Sequence, residues 1–196
     1  MCSDYRIREE LGPIEGTFSQ IRIPLRFPEG RPNMEPRDDV RITDRAPIIR
    51  ISASEDGAAE MVQRRWSWPG TGGKPVYNFR SDGREFSSGR CLIVADGFYE
   101  FTVQADPKAK RKHKWLFTLK GQPWFGIAGL WRTNPDVGEA FTMLTAPPGP
   151  DVAPYHNRQI VVLPPSDFAR WLDPQVPAAQ VLRALPQGSL QVEQIC

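Results

Sequence analysis

The second residue of the chain, Cys2, is the first candidate for chemistry, because removal of Met1 would leave it as the amino terminus. An N-terminal cysteine carries an α-amine that titrates at about 8 and a thiol that titrates at about 8.5, so a reactive fraction of each exists at neutral pH. The amine can attack an aldehyde to give an imine, and the thiol can then close a thiazolidine ring. The alternative is a second residue with no chemical role, and position alone does not decide between them.

Two titratable side chains are suited to moving the protons of such a reaction. His156 precedes the apolar run 160–163, and it is either a general acid or an ordinary structural histidine. Glu100 lies between Tyr99 and Phe101. It is either exposed by strand alternation or held in an apolar pocket that raises its pKa, and the second arrangement suits proton transfer.

Cations and aromatic rings are placed where they could bind nucleic acid. Asn78 and Arg80 would share one face of an extended segment, so that one orients a sugar or carbonyl oxygen and the other holds a phosphate. Residues 64–68 read Arg-Arg-Trp-Ser-Trp, a mixture that binds single-stranded nucleic acid by stacking and phosphate contacts, although Trp66 could equally belong to the core. The basic run 108–114 is either a solvated loop or a phosphate contact.

Composition excludes several classes of protein. The chain has 196 residues, 40% hydrophobic and 24% charged, which is enough for one domain with a core and excludes a disordered chain. The net charge of +2 implies neither a strongly basic nor a strongly acidic partner. Apolar runs fall far short of the roughly 20 residues that span a bilayer. With no secretory signal at the start of the chain, we expect a cytoplasmic protein and no membrane partner.

The motifs of common cofactor enzymes are missing. Three cysteines form no CxxC pair, and two histidines make a zinc site improbable, so we expect no metal and no other cofactor. The sequence has no P-loop, dinucleotide fingerprint, HExxH or GxSxG motif. Nucleotide hydrolysis, hydride transfer and serine-hydrolase chemistry therefore lose their usual support.

Short strands must position these residues. The β-branched run 47–52, the Glu-Asp-Gly turn at 55–57 and the return segment 59–68 predict a hairpin. Two glycines in 125–131 suggest that another backbone approaches closely. Further strands are predicted at 18–24, 91–95, 98–101, 114–119, 125–131, 141–145, 160–163 and 190–195.

Few helices are expected beside these strands. Ser166 should cap a short helix that runs to Leu172, and residues 177–185 could form a second one. Twenty prolines argue against a helix bundle. We therefore predict the α+β class: a β-rich single domain over residues 1–196, with a mostly antiparallel, barrel-like sheet and a few short helices.

Taken in order, these segments resemble the SOS response-associated peptidase (SRAP) family, also called abasic site processing proteins. The resemblance begins at Met1 and Cys2 and covers about residues 1–172. Residues 66–69 (Trp-Ser-Trp-Pro) are similar to the family's Trp-Gly-x-x-Pro, and residues 78–81 (Asn-Phe-Arg-Ser) to its Asn-Ala-Arg-Ser. Residues 90–101 match Arg-Cys-Leu-x-Pro-Ala-Asp-Gly-Phe-Tyr-Glu-Trp best. Residues 128–131, 141–145, 156–158 and 171–172 follow in the family's order.

The resemblance implies an enzyme that captures abasic sites in single-stranded DNA. The opened sugar exposes an aldehyde, and Cys2 would form a covalent thiazolidine crosslink with it, which shields the lesion. By matching position, Asn78 would orient Cys2 or the sugar, while Glu100 and His156 would handle the protons. The family name also implies a peptidase that removes its own Met1, and an imine at the sugar makes a lyase reaction chemically accessible.

The resemblance also implies the contacts to DNA. Arg80 and Arg158 would hold the phosphates that flank the lesion, and Trp66 would stack near a base or wall the channel, next to Arg65. The implied partner is single-stranded DNA with abasic sites, bound by a monomer that is nucleoid-associated when on DNA. We expect the aminothiol of Cys2 at the mouth of a cationic groove, with its proton-transfer groups close by.

Two departures from the family pattern concern charge. Asp4 places a negative charge where a positive one would help phosphate binding. Asn157 stands where the family has Asp, which should leave His156 less basic. Two other functions remain open: a cysteine peptidase that acts only on its own N-terminus, and a non-covalent single-strand binding module.

Overall fold

The computed structural model describes residues 2–105 and 111–195, so positions 108–110 of the basic run lie outside the described residues. Within these ranges the chain forms two α-helices, α1 (Leu11–Gln20) and α2 (Pro165–Leu172), and two 3-10 turns at Thr71–Gly73 and Ala178–Gln180. The strands are β1 (Asp4–Ile7), β2 (Leu25–Arg26), β3 (Arg37–Arg41), β4 (Arg45–Ile51), β5 (Ala59–Trp66), β6 (Trp68–Pro69), β7 (Pro75–Val76), β8 (Asn78–Arg80), β9 (Arg90–Ala95), β10 (Gly97–Thr102), β11 (His113–Leu119), β12 (Phe125–Asn134), β13 (Gly138–Ala146), β14 (Gln159–Ile160), β15 (Val162–Leu163) and β16 (Leu190–Gln194).

Five of these strands close into a barrel. The order is β13-β12-β9-β4-β5, with antiparallel pairing between neighbours. A parallel pairing of β5 with β13, in which Trp66 lies opposite Phe141, closes the ring. Closure leaves no free edge in these five strands. The predicted β-rich, mostly antiparallel and barrel-like α+β fold is therefore confirmed.

A second sheet carries the N-terminal strand. Its order is β16-β11-β10-β1-β3, and every pairing in it is antiparallel. β1 thus lies between β10 and β3, with Tyr5 opposite Phe98 on one side and opposite Val40 on the other. This insertion brings the start of the chain beside β10, the strand that contains Glu100.

Alternation along β10 determines which of its side chains share a face. Phe98 stacks on Phe117 with 4.9 Å between ring centroids and meets Phe125 edge-on at 6.5 Å. Glu100 is two residues further along the strand and therefore points to the same apolar side. The hydrophobic packing of Phe98 thus places a carboxyl group in the interior.

The predicted hairpin is confirmed, with one refinement. β4 and β5 pair antiparallel over their lengths, from Arg45 opposite Arg65 to Ile51 opposite Ala59. The return strand ends at Trp66 rather than Trp68, because Ser67 adopts a left-handed backbone with φ 81° that a strand cannot contain.

The strand predicted at 18–24 is wrong. Ile14 and Phe18 are spaced by four residues and are both buried on α1, so the period is helical. Arg22 then adopts a φ of 60°, which no β-strand accepts. The stretch 18–24 therefore contains the end of α1 and the turn that follows it, and no strand.

Two predicted helix features also differ. Ser166 lies inside α2, because Pro165 begins the helix and Pro164 occupies the N-cap position. Proline is favoured at the first helical position, here Pro165, since an N–H at that position would have no acceptor within the helix. Residues 177–185 form only the short 3-10 turn. No helix in the described part of the chain is long and apolar enough to cross a membrane.

Candidate functional site

Cys2 lies just ahead of β1, inside the protein. Its side chain is 1% exposed, and its Sγ donates a hydrogen bond to the carbonyl oxygen of Asp4 at 3.2 Å. The expectation of a thiol at the mouth of a groove is therefore wrong for this structure. The sheet packing that holds β1 also covers the residue that precedes it.

Asn78 contacts Cys2 directly. Its strand β8 pairs in parallel with β13, with Asn78 opposite Met143. The Nδ2 amide donates to the carbonyl oxygen of Cys2 at 2.8 Å. The Oδ1 atom is buried and accepts no hydrogen bond from the residues that the structure describes. Asn78 is therefore placed to orient Cys2 and retains an acceptor for a further group.

Glu100 is the second residue at Cys2. Its side chain is 1% exposed, so the apolar-pocket alternative holds. Burial raises the pKa of the carboxyl from an ordinary value of 4.5 to about 7, and a hydrogen bond from the Cys2 backbone amide partly opposes this. A carboxyl with this pKa is able both to accept and to donate a proton at neutral pH.

The thiol itself is held in its neutral form. Burial raises the pKa of the Cys2 thiol well above its ordinary value, and the neighbouring charge of Glu100 raises it further. A neutral thiol is a poor nucleophile. Reaction at sulfur therefore requires transfer of its proton to a neighbouring base or exposure of the site.

His156 lies in the loop ahead of β14. The residue is half-buried, and its Nδ1 accepts a hydrogen bond from the Arg158 backbone amide at 3.0 Å. Burial lowers the pKa of His156 below its ordinary value, and the positive charge of Lys112 adds to the effect. The neutral ring with Nδ1 as acceptor carries its proton on Nε2.

The loop is anchored next to the Glu100 strand. Tyr155 packs on Trp115, with 4.7 Å between ring centroids, and on Phe117 at 5.3 Å. Trp115 lies directly opposite Glu100 in the β10–β11 pairing. This packing places the His156 loop against the same strand pair that carries the buried carboxyl.

The two arginines predicted to hold phosphates differ in their surroundings. Arg80 is exposed at the end of β8 and shares a strand face with Asn78, as predicted. Arg158 is engaged within the protein: it makes two hydrogen bonds to Asp82, at 3.1 and 2.7 Å, and one to the Thr145 carbonyl at 2.8 Å. The guanidinium of Arg158 is therefore already paired with the carboxylate of Asp82.

Trp66 is a core residue, so a base cannot stack on it in this structure. Its side chain is 0% exposed, its Nε1 donates to the Tyr77 carbonyl at 2.9 Å, and its ring meets Tyr5 edge-on at 5.2 Å. Arg65 is half-buried and reaches the Thr43 carbonyl at 3.3 Å. The Trp66 ring therefore packs against β1 through its contact with Tyr5.

The departure at Asp4 has a partner that the sequence analysis did not identify. Lys114 Nζ lies 2.9 Å from Asp4 Oδ2, so the negative charge is compensated inside the protein. Asp4 is 9% exposed. Its charge is therefore largely shielded from solvent.

In the ranges 2–105 and 111–195, no three or more His, Cys, Asp and Glu side chains come together in a way that would hold a metal ion.

The raised pKa of Glu100 predicts a pH-dependent stability. Between pH 4.5 and about 7 the folded protein keeps a proton that the unfolded chain has lost, so this residue's contribution to stability falls as pH rises. We expect the unfolding free energy of wild type to fall by about 2 kcal/mol relative to that of Glu100→Gln between pH 4.5 and about 7, as measured in urea titrations. Asp4 titrates in both proteins, so its contribution cancels when their unfolding free energies are compared. A difference between the two proteins that does not change with pH would contradict the prediction.

Known proteins show the same sequence pattern. The family model for SOS response associated peptidase (SRAP) matches residues 1–195. The abasic site processing protein YoqW of Bacillus subtilis is 33% identical over 105 residues, which is 51% of this chain and 45% of that protein. YobE, another abasic site processing protein of B. subtilis, is 31% identical over 106 residues, or 52% of this chain and 47% of that protein. The matched segment thus spans about half the length of these curated relatives.

Solved structures share the fold. A protein from Bordetella bronchiseptica superposes with a TM-score of 0.73 at 22% identity, covering 100% of both chains. A protein from Bacteroides thetaiotaomicron gives a TM-score of 0.64 at 18% identity over 82% of this chain and 78% of the other. At these identities the likeness concerns the fold alone. Because the family model matches nearly the whole sequence, the chain belongs to the SRAP family.

Proposed function

We propose that this protein captures abasic sites in single-stranded DNA by forming a thiazolidine between Cys2 and the aldehyde of the opened sugar. The observation that carries the proposal is the convergence of an amide and a carboxyl on residue 2. Asn78 donates to its carbonyl at 2.8 Å, and Glu100 accepts a hydrogen bond from its backbone nitrogen. That nitrogen becomes the reactive amine once Met1 is removed.

The proposed reaction accounts for every atom and proton with Cys2, water and the sugar aldehyde alone. Hydrolysis of the Met1–Cys2 peptide bond consumes one water and frees the amine. The amine adds to the C1′ aldehyde, and loss of water gives an imine. The thiol then adds to the imine carbon, and its proton ends on the nitrogen. Glu100, with a pKa of about 7, would take a proton from the amine and return it.

Because the thiol is buried, the reactivity of Cys2 should differ between the protein that retains Met1 and the protein that has lost it. With Met1 attached, the nitrogen of Cys2 is an amide and the thiol is covered. Removal of Met1 takes away one whole residue from this position. The aminothiol then becomes reactive only where an entering sugar opens the site, which would protect it from reaction with other aldehydes.

DNA would approach along the face that carries Arg80. This arginine is exposed at the end of β8, on the strand face of Asn78, so a phosphate there lies next to the residue that holds Cys2. A second phosphate would displace Asp82 from Arg158. The family and the names of the curated relatives support abasic-site processing as the activity.

The crosslink is tested with a single-stranded oligonucleotide that carries one abasic site. We expect a slowly migrating species on denaturing gels with wild type and none with Cys2→Ala, because alanine lacks the thiol that closes the ring. An oligonucleotide without the lesion is the control. Equal affinity for both strands with no crosslink would contradict the proposal and favour the non-covalent binding module.

Asn78→Asp tests the positioning of Cys2. Aspartate keeps the size of the side chain but replaces the donor on the Cys2 carbonyl with a second acceptor, so the crosslinking rate should fall about tenfold or more. Asn33→Asp, an exposed position, is the matched control and should crosslink at the wild-type rate. Equal rates for the two variants would remove Asn78 from the mechanism.

Self-removal of Met1 is the alternative activity that the geometry favours, since Glu100 lies at the nitrogen of the bond to be cut. A cell-free translation system that contains deformylase but no methionine aminopeptidase separates the two sources of cleavage. We expect intact-mass spectra to show loss of Met1 from wild type and retention in Glu100→Ala. Retention in both proteins would mean that a cellular aminopeptidase is required.

A further inference from the structure

Lys114 makes a set of contacts that crosses four adjacent strands. It is on β11, and its Nζ lies 3.7 Å from the ring centroid of Tyr99 on the neighbouring strand β10. Beyond that ring, Nζ reaches Asp4 Oδ2 on β1 at 2.9 Å and Asp39 Oδ1 on β3 at 2.6 Å. One cation therefore ties β11 across β10 to the two strands on its far side.

The contacts are partly shielded from water. The side chain of Lys114 is 18% exposed and that of Asp4 is 13% exposed. In such surroundings, removing one member of an ion pair leaves the other charge without compensation. Without Lys114, Asp4 and Asp39 would face each other as two carboxylates on paired strands, and like charges across a strand pair repel.

The Asp4 end of this bridge is coupled to Cys2. Asp4 is the first residue of β1, and its carbonyl oxygen accepts the hydrogen bond of the Cys2 thiol at 3.2 Å. A shift of Asp4 away from β10 would therefore move the thiol relative to Glu100 on the same strand. Misplacement of a reacting group by about 1 Å is enough to slow a reaction about 100-fold.

From this geometry we propose that Lys114 is a positioning residue for Cys2: its bridge to Asp4 and Asp39 fixes the start of β1 and thereby sets the aminothiol against Glu100. The inference rests on the proposed function for its effect on reaction rate. Its effect on the burial of Cys2 is independent of that function.

The first measurement concerns the thiol alone. In Lys114→Met the start of β1 loosens, so alkylation of Cys2 by iodoacetamide, followed by peptide mass mapping, should be at least about tenfold faster than in wild type. Lys120→Met changes an exposed lysine just beyond the same strand and is the matched control. Unchanged alkylation of Cys2 in Lys114→Met would overturn the inference, whether or not the protein crosslinks DNA.

The second measurement separates positioning from phosphate binding. At saturating abasic DNA, the first-order crosslinking rate of Lys114→Met should fall at least about tenfold, while its affinity for intact single-stranded DNA stays within about threefold of wild type. A parallel fall in affinity and an unchanged rate at saturation would make Lys114 a phosphate contact and overturn the inference. Absence of crosslinking in wild type would count against the proposed function instead.

Further variants distinguish a loss of positioning from a failure to fold. The double exchange Asp4→Lys with Lys114→Asp keeps a cation between two carboxylates, so it should restore the crosslinking rate and the slow alkylation of Cys2. Asp39→Asn leaves the Lys114–Asp4 pair intact and should slow crosslinking and speed alkylation less than Asp4→Asn, and a larger effect of Asp39→Asn would contradict the proposal. A double exchange that melts at the wild-type temperature but stays as reactive to alkylation as Lys114→Met would contradict the proposal.

Discussion

The insertion of β1 between β10 and β3 is the constraint on which the candidate site depends. It pairs Tyr5 with Phe98 and Val40 and brings residues that are more than ninety positions apart into one sheet. Cys2 itself has no strand to hold it, so its place follows from the strand that begins two residues later. The contacts from Asn78 and Glu100 then act on a residue whose position is already limited.

The same packing that builds the core produces the electrostatics of the site. Phe98 must face the apolar interior with Phe117 and Phe125, and strand alternation places Glu100 on that side. Burial then makes ionisation of the carboxyl costly and moves its pKa toward neutrality. The raised pKa of Glu100 thus follows from its register in a buried strand.

Residues near the site fall into two groups: those that contact Cys2 and those that pack against or pair with β1. Trp66 packs on Tyr5, which lies opposite Phe98 and so shares the face of Glu100, whereas Lys114 pairs with Asp4 on the other face of β1. Arg80 alone of the two predicted phosphate ligands is exposed, whereas Arg158 is paired with Asp82. The exposed arginine of this pair thus lies on the β8 side.

The sequence by itself determined the β4–β5 hairpin, the buried strand β9, the alternation of β10 and the residue types able to do chemistry. Those features are local: turn residues, β-branched runs and side-chain types act over a few neighbouring positions. The helix at 11–20 was missed because Ile14 and Phe18 mark a helix only if both face the same core. The start of α2 was misplaced as well, since the helix begins at Pro165 and Ser166 lies inside it. Only the tertiary structure decided that Glu100 points inward, that Trp66 is core rather than surface, that Cys2 is covered and that Lys114 reaches Asp4. Each of these depends on pairing between distant strands, which sets what lies opposite a side chain and is not encoded in its immediate neighbours.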